Sequence, residues 1–213
     1  MTSATMTASA PTTASPAPAA PAPLFAPTTL AGVVIFTPRR HGDARGFFVE
    51  TYNRATFRDN GIDLEFVQDN HSLSATTGTL RGLHFQLHPR AQAKLVRVIR
   101  GAILDVAVDI RHGSPTFGRH VAVELSAANG RQLLVPIGCA HGFVTLEPDT
   151  EVVYKVTDLY SPEHDRGLAF DDPALAIAWP LPPEGPTLSA KDRTHPRLAD
   201  LPVCFGSDGG APR

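Results

Sequence analysis

The chain has 213 residues, of which 19% are charged, and a formal net charge of −2. That balance gives no broad field for a polyanion, so neither a nucleic-acid partner nor a membrane partner is expected. No apolar run approaches the roughly 20 residues of a spanning helix, and two cysteines are too few for a disulfide scaffold or a thiolate zinc site.

From Met1 to Pro38 there is no Asp, Glu, Lys, Arg or His. Residues 1–27 are almost entirely Ala, Pro, Thr and Ser. Proline withholds backbone donors, and small side chains bury too little to offset chain entropy, so a disordered leader is expected there. It has neither the basic start of a secretory signal nor the arginines of a transit peptide. Residues 28–213 are then expected to form one domain, and the low cysteine use points to a reduced, cytoplasmic setting.

Leu30–Phe36 and Gly46–Tyr52 read as strands, and Arg54–Asn60, stopped by Gly61, as a short helix. Phe66–Asn70, Thr79–Leu83 and Lys94–Arg100 are further short strands. A strong alternation follows, with Leu104, Val106, Val108 and Ile110 on one side and Asp105, Ala107 and Asp109 on the other. Val121, Val123 and Leu125 repeat it. Leu133–Pro136, Gly142–Leu146 and Glu151–Val156 complete the series, with turn residues between. Many short strands and no long helical period predict an all-β sandwich or barrel, a jelly roll included. After Tyr160 the chain is Pro-rich and irregular. It is expected to wrap the strands, with Trp179 as an anchor.

The chain carries nine histidines. His41, His112, His120, His164 and His195 sit beside Gly, Pro or Arg, as exposed or locally bonded residues do. His84 in LRGLHFQ and His141 in CAHGF lie in apolar strands, where a histidine is either a satisfied core residue or a base. The H-x-H pair of a metal-binding jelly roll would fall on His84-Phe85-Gln86, and glutamine is a poor ligand, so no metal is expected. There is no G-x-S-x-G, no phosphate loop and no dinucleotide fingerprint, and Cys139 reads as a small buried residue. Proton transfer combined with anion binding remains. His84 suits a base near neutral pH. Asp192 is a candidate to orient it, Tyr154 a candidate acid, and Lys94 a candidate stabiliser of negative charge. Spacing alone does not bring these four together.

Seven blocks occur in order: FVQDNHS (Phe66–Ser72), LRGLHFQ (Leu80–Gln86), QAKLVRV (Gln92–Val98), DVAVDIRHGSPTFG (Asp105–Gly118), CAHGF (Cys139–Phe143), YKVTDLYSP (Tyr154–Pro162) and LSAKD (Leu188–Asp192). Together they resemble the dTDP-4-dehydrorhamnose 3,5-epimerase family of deoxysugar biosynthesis, from Leu30 to Pro202. The resemblance implies a cupin-type jelly roll that works without metal or cofactor. It implies a dTDP-4-keto-6-deoxyhexose substrate, inverted at carbons 3 and 5 next to the ketone. His84 would be the base, Asp192 its partner, Tyr154 the proton donor on the other face, and Lys94 the group beside the keto oxygen. Arg45 and Glu50, in RGFFVE, match nucleotide-binding positions on a segment that reaches across a dimer interface in the family, so a homodimer is expected. Gln68, Asn70 and Arg81 would be further substrate contacts. Lys191 and Arg193 would face the diphosphate, Tyr160 and Phe47 would stack on thymine, and His71 and His141 would support the site. An epimerase of a single carbon and a non-catalytic sugar-nucleotide-binding module are the alternatives.

Overall fold

The computed structural model of the protein describes residues 24–212. The chain opens with β1 (Phe25–Pro27), β2 (Val34–Phe36), β3 (Arg40–Asp43), β4 (Gly46–Val49) and the helix α1 (Arg54–Asp59). Next come β5 (Gln68–Ser74), β6 (Leu80–Gln86), β7 (Lys94–Arg100), β8 (Ala102–Asp109) and β9 (His120–Ser126). The series ends with β10 (Gln132–Val135), β11 (Cys139–Thr145), β12 (Thr150–Val156) and β13 (Asp165–Gly167). A six-stranded sheet runs β1-β2-β10-β7-β12-β5, and a five-stranded sheet runs β13-β6-β11-β8-β9. Neighbours in each are antiparallel. β3 and β4 form a separate hairpin.

The two sheets face each other. Val96, Val98, Leu133 and Val152 of the first meet Ile103, Ala107, Leu125 and Phe143 of the second in one core. Fully burying a side chain such as Leu133 contributes about 1.5–3 kcal/mol. The crossing strand order and this shared core make the fold the expected all-β jelly roll.

The alternation in β8 has an unusual sense. Its apolar side, Leu104, Val106, Val108 and Ile110, faces outward from the sandwich and packs under Leu168, Leu175 and Phe205 of the C-terminal chain. The side carrying Asp105, Ala107 and Asp109 faces inward and is fully buried. The C-terminal chain therefore acts as a third layer, as its irregular composition predicts. Trp179 is half-buried in that layer, and its indole Nε1 donates to the Phe170 carbonyl at 2.9 Å.

A third cluster covers the outer side of the six-stranded sheet. Asn53 caps α1 by accepting from the Ala55 N–H at 2.9 Å, and Phe57 is buried against Phe36, Leu95 and Leu134. Phe25 stacks on Phe36 at 4.8 Å and meets Phe57 edge-on at 5.0 Å. This corrects the domain boundary expected at residue 27. β1 belongs to the fold because it pairs with β2 and Phe25 is half-buried against two aromatic rings, and its Ala- and Pro-rich neighbourhood carries no sign of that. Residues 1–23 of the expected leader lie outside the described residues.

The β3–β4 hairpin was not legible as a pair. It projects with Phe47 and Phe48 62% and 72% exposed. Arg40 tethers it, donating to the Ala127 and Ala128 carbonyls at 2.5 and 2.9 Å and lying over the Phe47 ring.

Candidate active site

The site begins with an irregularity in β6. A regular strand would put residues 81 and 84 on opposite faces. Here Arg81 pairs with Phe143 and His84 with His141, so two residues, Gly82 and Leu83, stand opposite Gly142 alone. Such a bulge lets Arg81 and His84 share one side of the strand, where both line one open cavity. Gly82 has φ 129°, and a Cβ there would lie 2.5 Å from the Gly142 Cα, so glycine is required at this approach.

His84 Nε2 bonds to Asp192 Oδ1 at 2.5 Å. Asp192 comes from the C-terminal layer, is 4% exposed, and also accepts from the Ser189 hydroxyl at 2.7 Å. Burial opposes its ionisation, but the His195 imidazole 3.6 Å away, together with the hydrogen bonds from His84 and Ser189, outweighs that and holds the carboxyl far below the usual range. Burial also pushes the His84 pKa below its ordinary 6.5, against the pull of Asp192, and the Lys94 charge adds to the lowering. With Nε2 committed to Asp192, Nδ1 is the nitrogen left to take a proton.

Lys94 stands on β7 of the facing sheet, with Nζ 3.2 Å from the His84 carbonyl oxygen. Its burial brings the pKa down to about 8, with Asp165 and Asp105 opposing the shift. Tyr154, on β12, is pushed up from 10.0 by burial, so its phenol is protonated at neutral pH. His84, Lys94 and Tyr154 line two adjoining cavities. One, of about 250 Å³, also has Ser72, Arg81, His141, Ser189 and Asp192 in its wall. The other, of about 120 Å³, is walled by Gln68, Asn70, Gln92, Tyr160 and Asp165. A second pair closes the floor: buried His141 Nε2 lies 2.7 Å from Asp105 Oδ1. An imidazole and a phenol thus face one space from opposite sheets, beside a buried lysine amine, an arrangement that suits removal and return of a proton beside a carbonyl.

A sequence profile described as dTDP-4-dehydrorhamnose 3,5-epimerase matches residues 27–200. The chain belongs to the dTDP-4-dehydrorhamnose 3,5-epimerase family. A relative of that name from Sinorhizobium fredii is 56% identical over 181 residues, 85% of this chain and 92% of the relative. The crystal structure of the family's Bacillus anthracis enzyme, with TDP and PPi bound, is 51% identical with a TM-score of 0.79. It covers 81% of this chain and 98% of its own. A Legionella pneumophila epimerase in complex with dTDP-4-keto-L-rhamnose is 43% identical with a TM-score of 0.81, over 85% of this chain and 97% of its own. The jelly roll is accordingly of the cupin type.

Most of the residues expected from the epimerase motifs converge. Gln68 donates to Asn70 Oδ1 at 2.8 Å and accepts the Tyr160 N–H at 3.1 Å. Arg81 donates to Ser74 Oγ at 3.2 Å and to the Leu73 carbonyl at 3.1 Å. Lys191 pairs with Asp165 at the rim, beside the exposed Tyr160. Others stand apart. Arg45 is 89% exposed in the hairpin turn, paired with Asp43, and Glu50 is also exposed; neither lines the two cavities. Arg193 is exposed and lies outside both walls. His71 faces away from the interior and bonds to Glu151 at 2.9 Å, so a supporting role at the site does not fit its position.

Gln86 has its polar ends occupied. It donates to the Arg90 and Leu159 carbonyls and accepts the Ser161 N–H, fixing the loop that carries Tyr160. Among the described residues one group, His84, Asp192 and His195, brings metal-capable atoms within 4.8 Å of one another. The 2.5 Å between His84 and Asp192 is a hydrogen-bond length. Ligands around a tetrahedral zinc stand about 3.3 Å apart at bond lengths near 2.05 Å. The group fits proton sharing better than metal ligation. His195 itself is the correction: it is not an exposed turn histidine, but is buried against Asp192 by the C-terminal layer. Asp105 was the other residue missed. Its signal was a carboxylate in a strand that proves to be buried on both faces.

Proposed function

We propose that the chain converts dTDP-4-dehydro-6-deoxy-D-glucose into dTDP-4-dehydro-L-rhamnose by inverting carbons 3 and 5. The observation that carries the mechanism is the convergence of His84, Lys94 and Tyr154, from two facing sheets, on one pair of cavities. The hydrogens on carbons 3 and 5 flank the ketone and are acidic because the resulting carbanion is an enolate. His84 Nδ1 takes one of them as a proton while the electron pair moves to the keto oxygen. Asp192 stabilises the imidazolium, and the Lys94 ammonium stabilises the enolate oxygen. Tyr154 gives its proton to the opposite face of the same carbon, which inverts it. Solvent then restores the phenol and removes the proton from His84. Two faces need two groups, so a base without Tyr154 returns the proton to the side it left.

Gln68, Asn70, Arg81, His141, Tyr160, Lys191 and Arg193 are proposed as substrate contacts. Arginine and lysine suit the diphosphate. Arg45 and Glu50 are proposed to serve a second copy's site, because their hairpin stands away from the cavities of its own chain and presents two exposed phenylalanines. The working form is then a homodimer. The two cysteines are buried and unpaired, which suits a reducing cytoplasm. No helix among the described residues is long and apolar enough to cross a membrane.

Incubation with dTDP-4-dehydro-6-deoxy-D-glucose and NMR of the product tests the activity. The L-rhamno configuration is expected. A product inverted at one carbon would contradict the double inversion, and unchanged substrate would contradict the activity.

A further inference from the structure

His195 lies against the proposed base pair without belonging to any of the family blocks. Its ring centroid is 5.5 Å from that of His84, with the planes at 81°. Its Nε2 is 3.6 Å from Asp192 Oδ1, the same oxygen that bonds His84, and this buried nitrogen has no hydrogen-bond partner. A shift of about 0.6 Å would bring it to ordinary hydrogen-bond length. The backbone holds the ring in place. The turn from Lys191 closes on the Thr194 N–H and hydroxyl, at 3.1 and 3.0 Å, and the Pro196 carbonyl accepts from the Ala169 N–H at 2.8 Å. The slot is made by Gly167, the β13 residue paired with His84, where any Cβ would collide with the His195 imidazole.

We propose that His195 is a positioning residue: its Nε2–H is a second donor to Asp192 Oδ1 and sets how strongly that carboxylate holds a proton on His84. This rests on the reading of His84 as the base. A carboxylate oxygen that serves two donors is a weaker partner for each. Removing the His195 donor concentrates the Asp192 charge on His84 and makes its imidazole more basic. The other charged or titratable groups in the two cavities that His84 lines are Arg81 on β6, Lys94 from β7, Tyr154 from β12, His141 from β11, Asp165 from β13, and Tyr160. None of them is changed in the variants below.

The test compares wild type with H195F, which keeps a ring and loses the donor, and H195Q, which keeps a donor and loses the ring. The readouts are the pH dependence of kcat/KM and the NMR titration of the His84 ring. In H195F the acidic limb and the His84 titration should move up by about 0.5–1 pH unit, while H195Q stays near wild type. G167A, which must push the ring out of its slot, should move as H195F does. A wild-type limb in H195F or G167A, or an equal shift in H195F and H195Q, overturns the proposal. If wild type itself does not turn over the keto-sugar nucleotide, the functional reading fails, and the His84 titration still decides the role of His195.

Discussion

At the scale of single residues, the proposed chemistry rests on two groups, a neutral imidazole and a protonated phenol, that stand on opposite sheets. Replacing His84 with Asn should lower kcat by about 10²–10⁴-fold, the usual contribution of a positioned acid or base. Tyr154→Phe should leave proton removal possible and stop inversion, so the isotope exchange that remains is not matched by new product. The pH profile follows from the environments already described. The base must be neutral, and burial pushes its pKa below 6.5, so kcat/KM should rise with pH through a limb below that value. The Lys94 ammonium must be charged, and its pKa is brought down to about 8, so kcat/KM should fall as pH passes that region. A profile that stays flat through pH 8 would contradict the Lys94 assignment, and one with no acidic limb below pH 6.5 would contradict the His84 assignment. His84 and Asp192 were legible as candidates because LRGLHFQ and LSAKD stand out in the chain. His195 was not, because its neighbours in sequence are those of a surface turn and only the C-terminal layer buries it.

At the scale of elements, most strands could be read from alternation and turn residues, since each has one face in a core. β8 could be placed but not oriented, because both its faces are buried and the covering layer has no periodic pattern. Its end carries a fully buried carboxylate, Asp109, bonded to Arg111 at 2.9 Å through each oxygen and to the Ser114 and Thr116 hydroxyls at 2.7 and 2.6 Å. Burial raises its pKa, but the bonds from Arg111, Thr116 and Ser114 prevail and hold it at about 2. Its folded pKa thus lies below its ordinary 3.8. The stability it contributes is present above pH 4 and is lost as pH falls from there toward 2. D109N leaves Arg111 buried without its partner and should cost about 3–5 kcal/mol in a urea or thermal melt. It should also flatten the acid limb of the stability curve.

At the scale of the whole molecule, the hairpin that carries Arg45 and Glu50 is what a single copy does not explain. A sequence motif can mark those positions but not the chain whose site they serve. Light scattering should report a dimer. A mixed dimer of R45A with H84N should regain about half of the activity of one wild-type pair, if each hairpin completes the other copy's site and H84N leaves that site inactive. Deleting residues 1–23 should leave kcat unchanged, since the described fold begins at β1; a large loss would assign the segment a working role. Chelator should leave activity intact, and a loss restored by zinc or iron would overturn the metal-free chemistry. The most direct test of proton exchange from two faces is deuterium uptake. Turnover of dTDP-4-dehydro-6-deoxy-D-glucose in deuterated water should place deuterium at both carbon 3 and carbon 5 of the product, whereas label at one carbon or at neither would contradict the account.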